Sequence, residues 1–121
     1  MKHILVMDDD PVILEFLTRL LERTSYKVSV ATDGKEGLKL FRQDGADLLI
    51  VDIFMPKMDG LRVIRQLKEE TPDLKIIAIS GGQPLMNKDV LVTAQKLGVR
   101  HTLKKPFLVD ELLQAIAELE L

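Results

Sequence analysis

The sequence predicts an α/β fold built on a mainly parallel sheet, and three observations carry that prediction. Short β-rich apolar runs alternate with longer segments of helical period, the pattern of repeated βα units. Two of the runs, "DLLIV" and "KIIAIS", are almost unbroken in apolar residues, as expected of strands covered on both faces. The 121 residues suit one domain with a substantial core.

Each element follows from its residues. "HILVM" (3–7) reads as the first strand, and Ile13, Phe16, Leu17, Leu20 and Leu21 form one helical stripe after it. Asp10 before Pro11 matches an N-cap followed by proline at the first helical position. "KVSVA" (27–31) is the second strand, and a helix over 34–43 stops near Gly45. "DLLIV" (47–51) is the third, with Asp59 and Gly60 read as a turn and start of a helix over 60–70 that ends before Pro72. "KIIAIS" (75–80) is the fourth, followed by a helix over about 87–97 closed by Gly98. "VRHTL" (99–103) is polar enough to be an edge strand, and Leu112, Leu113, Ile116 and Leu119 stripe the last helix. Repeats, low-complexity tracts and linkers are absent, so residues 1–121 are expected to be a single domain.

Composition narrows the function. With no cysteine, disulfides, thiolate metal sites and cysteine nucleophiles are excluded, which fits a reducing cytosol. No stretch approaches the roughly 20 apolar residues of a membrane span, and "MKHILVMDDD" lacks a long apolar signal region and a cleavage site. A soluble cytoplasmic protein without membrane insertion is expected. The net charge of −2, from 17 basic and 19 acidic residues mixed along the chain, leaves no basic stripe for nucleic acid.

The acidic run Asp8, Asp9, Asp10 needs a physical reason. Two carboxylates about 4 Å apart repel by roughly 4 kcal/mol at an effective dielectric near 20, so a fold that gathers them must protonate one or hold a cation. In an open parallel sheet chemistry collects beyond the carboxyl ends of the strands, where strand order reverses. There the predicted strands place Asp8, Asp9 and Asp10, then Asp52, then Ser80, then Lys104 and Lys105 before Pro106. Such carboxylates form an oxygen-rich site for a hard cation such as Mg²⁺. Ser80 supplies a hydroxyl donor and a lysine a fixed positive charge, the parts that stabilise a transferring phosphoryl group. Asp52 is then the candidate nucleophile, forming an aspartyl-phosphate.

With these residues in view, "ILVMDDDP", "DLLIVDIFMPKMDG", "IIAIS" and "LKKPF" together resemble the receiver domain of two-component response regulators across essentially the whole chain. The resemblance implies a doubly wound, flavodoxin-like (βα)5 three-layer sandwich with strand order 2-1-3-4-5. It implies a signalling domain rather than a turnover enzyme, one that takes a phosphoryl group from a histidine kinase or histidine phosphotransfer protein onto Asp52. In that pattern Asp9 is a direct Mg²⁺ ligand and Asp8 a water-mediated one. Asp52 and the backbone carbonyl of Phe54 complete the protein ligands. Ser80 and Lys105 match the phosphate-binding pair. The Lys105–Pro106 bond is implied to be cis, and the output surface to lie on helix four, strand five and helix five, facing a downstream effector protein.

Other residues have plainer readings. Asp10 is assigned to capping, Lys104 to a solvated edge, His3 and His101 to structural roles, and Met55, Met58 and Met86 to adaptable packing. Thr102 occupies the position, three before Lys105, where the family usually has an aromatic switch residue. The segment from Ser80 to Gly98 is longer than the family pattern, and Gly81, Gly82 and Pro84 predict an extended mobile loop. Phosphorylation is expected to reorder it through the Ser80 hydroxyl. Phe54, two residues after the acceptor, is expected to hinder water and slow dephosphorylation.

Three rival functions remain at this level. A Mg²⁺-dependent small-molecule phosphotransferase would need a substrate pocket that 121 residues hardly provide. A nucleotide-binding module lacks a Gly-rich phosphate loop after strand one. A pseudo-receiver that only docks partners would not need Asp9, Asp52, Ser80 and Lys105 together. With no effector segment evident, output is expected to pass to a separate protein unless the chain is a piece of a longer regulator.

Overall fold

The computed structural model describes residues 1–55, 59–81 and 87–121, with side chains in the last segment from residue 92 onward. Met58, Met86, Gly82 and Pro84, and the core of the predicted loop, lie outside the described residues.

Strands and helices alternate without exception: β1 (His3–Met7), α1 (Pro11–Arg23), β2 (Lys27–Ala31), α2 (Gly34–Asp44), β3 (Leu48–Asp52), α3 (Gly60–Glu70), β4 (Lys75–Ser80), α4 (Asn87–Lys96), β5 (His101–Lys104) and α5 (Val109–Glu118). All pairings are parallel and the sheet order is β2-β1-β3-β4-β5. The doubly wound flavodoxin-like prediction is therefore met. The chain steps outward from β1 to β2, then crosses back to β3 on the other side of β1, so the reversal lies between β1 and β3.

Period-two alternation sorts the central strands onto two cores. Leu5 and Met7, Leu49 and Val51, and Ile76 and Ala78 face one layer with Leu38 of α2, Val63, Ile64 and Leu67 of α3, and Ala94 of α4. Ile4 and Val6, Leu48 and Ile50, and Ile77 and Ile79 face the other with Leu14, Leu17 and Leu21 of α1, Leu112, Ala115 and Ile116 of α5, and Leu119 just past its end. Double coverage is the reason these strands are apolar throughout their interiors, with polar residues only at their ends. Strand β2 and strand β5 form the two edges, and both carry the polar residues that edges tolerate.

Three local differences from the sequence reading concern boundaries and faces. Strand β3 runs one residue later than predicted, so Asp52 is its last residue rather than the first beyond it. Strand β5 begins at His101; Val99 is buried ahead of it without joining the ladder. On α1 the buried face is Leu14, Leu17 and Leu21, while Phe16 stays 44% exposed and Ile13 and Leu20 lie on the flank. The apolar stripe was wider than the contact it makes.

Helix starts follow the capping logic. Asp10 Oδ1 accepts from the Val12 N–H at 2.9 Å with Pro11 at the first helical position, and Asp59 Oδ1 accepts from the Arg62 N–H at 2.9 Å. The two histidines have structural partners: His3 Nε2 lies 2.7 Å from Ser29 Oγ, and His101 Nε2 lies 3.0 Å from Glu118 Oε2. Lys104 is exposed, as expected of an edge lysine.

Candidate functional site

The site is assembled by backbone continuing just past the strand ends. The Asp8 N–H donates to the Ala31 carbonyl at 3.1 Å, Ile53 to Ile79 at 2.9 Å and Lys105 to Ser80 at 2.8 Å, so the residues at the rim are held in register with the sheet. Asp8, Asp52 and Ser80 are the buried polar and charged side chains among the described residues, at 1%, 5% and 0% exposure. Asp9 is exposed.

Each buried carboxylate is held by the chain that follows it. Asp8 Oδ1 accepts from the Asp10 N–H and Asp52 Oδ1 from the Phe54 N–H, both at 2.9 Å. The other oxygen of each faces Lys105, whose Nζ lies 2.9 Å from Asp8 Oδ2 and 3.0 Å from Asp52 Oδ2. The Asp52 contact is a hydrogen bond, whereas the Asp8 contact is an ion pair whose geometry falls short of one. The peptide bond between Lys105 and Pro106 is cis, as the resemblance implied.

Electrostatics follow from this packing. Burial raises the Asp52 pKa above the usual carboxylate value; the Phe54 N–H and Lys105 pull it back, and the Asp8 charge adds to the rise. For Lys105, burial alone would lower the pKa, but Asp8 and Asp52 together outweigh it and the ammonium is favoured. Ser80 Oγ is fully buried with no hydrogen-bond partner, an unusual position for a hydroxyl and one that a ligand oxygen would relieve.

The cluster has the chemistry of a hard-cation site. Asp8, Asp9 and Asp52 each offer an oxygen, and all lie within 4.8 Å of one another. Three carboxylates against one ammonium leave two negative charges, the complement of a divalent ion, and oxygen donors suit Mg²⁺.

The structure thus brings together Asp8, Asp9, Asp52 and Lys105, sets Ser80 at the neighbouring strand end, and ties Phe54 to Asp52 through its N–H. Two features escaped sequence reasoning. Lys105 is shared between Asp8 and Asp52, where only a phosphate-binding role was expected. Gly60 is pressed on the end of β3: a Cβ there would stand 2.5 Å from the Asp52 carbonyl oxygen and 2.6 Å from Ile53 Cα. The "MDG" tripeptide signalled a turn but not that approach.

The family model for the response regulator receiver domain matches residues 4–117. The chain belongs to that family. This receiver domain is 38% identical over 111 residues to the response regulator MprA of Mycolicibacterium vanbaalenii and 37% identical over 117 residues to that of Mycobacterium leprae. Those matches cover 92% and 97% of this chain but 47% and 50% of the relatives, so the receiver domain spans about half the length of the curated relatives it matches. Among solved structures, a CheY-like receiver domain protein from Methanospirillum hungatei superposes with a TM-score of 0.91 at 30% identity, covering 99% of this chain and 94% of that one. The response regulator TrrA from Thermotoga maritima, solved in complex with Mg²⁺–BeF, superposes at 0.85 with 34% identity, covering 98% and 99%. The chain is therefore the receiver domain of a two-component response regulator, a signalling domain. No described helix is long and apolar enough to cross a membrane.

Proposed function

We propose that this receiver domain accepts a phosphoryl group on Asp52 from a histidine kinase or histidine phosphotransfer protein, in the cytoplasm, in a reaction that requires Mg²⁺ held by Asp8, Asp9, Asp52 and the Phe54 carbonyl. The single observation that carries the reading is the convergence of three carboxylates and Lys105 at the strand-order reversal. Residues 1–121 act as one unit that catalyses only its own phosphorylation and dephosphorylation.

The chain's residues divide the work. An Asp52 carboxylate oxygen forms the new O–P bond as the P–N bond to the donor imidazole breaks and its electron pair returns to the ring nitrogen. Mg²⁺ held by these residues would supply positive charge to offset the carboxylates and the phosphoryl oxygens. Lys105, already 3.0 Å from Asp52, supplies positive charge beside the transferred group. The unpartnered Ser80 hydroxyl supplies a donor for a phosphoryl oxygen. Burial of Asp52 limits competing water.

Two features support partner use. Ile13, Phe16, Lys105, Pro106 and Phe107 line an apolar concavity of about 410 Å³ beside the site, suited to contact with the phosphoryl donor. Ser80 ends the strand that leads toward α4, so engaging its hydroxyl couples the site to α4, β5 and α5, the surface proposed to meet a downstream effector. Amide spectra over residues 81–103 are expected to change on phosphorylation; unchanged spectra would sink this switch.

The deciding experiment is intact mass after incubation with acetyl phosphate and Mg²⁺, beside Asp52→Asn and a metal-free control. A gain of one phosphoryl group that needs both Asp52 and Mg²⁺ is expected. No gain, together with no labelling by a phosphorylated histidine kinase, would leave a docking-only domain.

A further inference from the structure

The pole of the sheet opposite the carboxylate cluster carries a concavity of its own. It lies at the start of β4, among the end of α3, the turn from α4 into β5 and the end of α5, and encloses about 290 Å³, room for a ligand of small-metabolite size. Leu74 and Leu119, 4% and 5% exposed, give it an apolar floor. Lys68, Lys75 and Arg100 stand around that floor, with Asp73 the one acid among the described lining residues.

Three different elements deliver these cations and leave them without a carboxylate. Lys75 Nζ donates to the Leu119 and Glu120 carbonyls at 2.5 and 3.0 Å, and Lys68 Nζ to the Pro72 carbonyl at 3.3 Å. Such bonds hold the ammonium groups in place but cancel none of their charge, and each keeps donors to spare. A Cβ on Gly98 would stand 3.5 Å from Lys68 Nζ, so this ammonium lies against the turn that leads to Arg100. Arg100 is exposed, and none of the three cations forms an ion pair with a carboxylate among the described residues. Three cations against Asp73 give the lining a net charge of +2 on a chain whose net charge is −2. A concave wall of low dielectric focuses that field on its mouth.

We propose that this concavity is a second ligand site, one that takes a small phosphomonoester with an apolar or aromatic body. Its phosphate meets Lys68, Lys75 and Arg100, whose donors suit phosphate oxygens, and its body covers Leu74 and Leu119. A ligand seated there ties the ends of α3 and α5 to the turn before β5. The site shares no residue with Asp52 and its neighbours, so it stands whether or not Asp52 accepts a phosphoryl group.

Amide NMR spectra of the metal-free protein, titrated at fixed ionic strength with AMP, inorganic phosphate and adenosine, test the site. AMP should shift the amides of residues 73–76 and 98–100 saturably, with a dissociation constant of about 1 mM or tighter. Inorganic phosphate should act on the same amides more weakly, and adenosine should leave them in place. Arg100→Ala should weaken AMP binding about tenfold, the loss of one charge-assisted contact, with an unchanged melting temperature. Asp73→Asn should tighten it by removing the one opposing charge. Shifts that do not saturate, that gather instead around Asp8 and Asp52, or that survive Arg100→Ala to within about threefold would overturn the site. Phosphate bound as tightly as AMP would overturn the phosphomonoester, because the apolar floor would then contribute nothing.

Discussion

Lys105 and Asp52 meet across 3.0 Å although 53 positions separate them in the chain. The contact joins the loop after β5 to the last residue of β3, and the same ammonium reaches Asp8 after β1. Three strand ends are thereby tied at one point by charge. The bond only partly offsets the cost of burying two carboxylates, because the net charge of the cluster stays negative.

Asp52 carries a pH-dependent penalty as a result. Its native carboxyl is held above the ordinary range by burial first, against the Phe54 N–H and Lys105. The native state therefore binds this proton more tightly than the unfolded chain. Its contribution to folding is complete below the unfolded value near 3.9 and is lost as pH rises through the native value. Asp52→Asn should raise the urea midpoint of the metal-free protein near pH 7, with the gain vanishing toward about pH 4 and shrinking in Mg²⁺. A lower midpoint at neutral pH would show that the Lys105 contact outweighs burial.

Gly60 should be intolerant of any side chain. A Cβ would meet backbone atoms of Asp52 and Ile53 that cannot swing away, and the Gly60 N–H donates to the Ile53 carbonyl at 2.8 Å. Gly60→Ala should cost about 2 kcal/mol in urea unfolding through overpacking. Gly45→Ala, with φ +68, ψ −172 and open space around it, should cost about 1–3 kcal/mol through backbone strain alone. A cost near zero for Gly60→Ala would mean that the close approach relaxes freely.

Phe54 is half-buried against the core layer of α2, α3 and α4, while its N–H holds Asp52. Phe54→Asn keeps that backbone bond and opens the approach to the acyl phosphate, so labelled protein should lose its phosphoryl group severalfold faster. The intact-mass decay of purified, labelled protein measures this, and an unchanged lifetime would acquit the side chain.

The three consecutive aspartates should separate cleanly by role. Asp10→Ala should cost about 1 kcal/mol as a lost helix cap and leave labelling unchanged. Asp9→Asn, at an exposed position, should leave stability nearly intact while raising the Mg²⁺ concentration needed for half-maximal labelling. Labelling that depends on Asp10 as strongly as on Asp9 would merge the two roles.

Much of this molecule was legible before any coordinate. The unbroken apolar run of β3 announced a strand covered on both faces, and the caps at Asp10 and Asp59 announced where helices begin, because both signals are local. Faces were harder: Phe16 shares the apolar period of α1 yet stays exposed, since periodicity marks what could be buried and the packing partner decides what is. Thr102, a β-branched residue that favours strands, is half-buried on β5 opposite Ala78.

The sequence by itself determined the (βα)5 order and the two-sided sheet and put Asp8, Asp9, Asp10, Asp52, Ser80, Lys104 and Lys105 at the strand ends, because side-chain period, turn residues and a run of like charges are written along one dimension; the choice of Asp8, Asp9, Asp52, Ser80 and Lys105 among them came from the family resemblance. Only the tertiary structure decided that Lys105 is shared by Asp8 and Asp52, that Gly60 is a site of close approach, and that Ser80 Oγ is buried without a partner. Those are relations between strand ends far apart in the chain. They arise from packing at van der Waals distance, which no local pattern encodes.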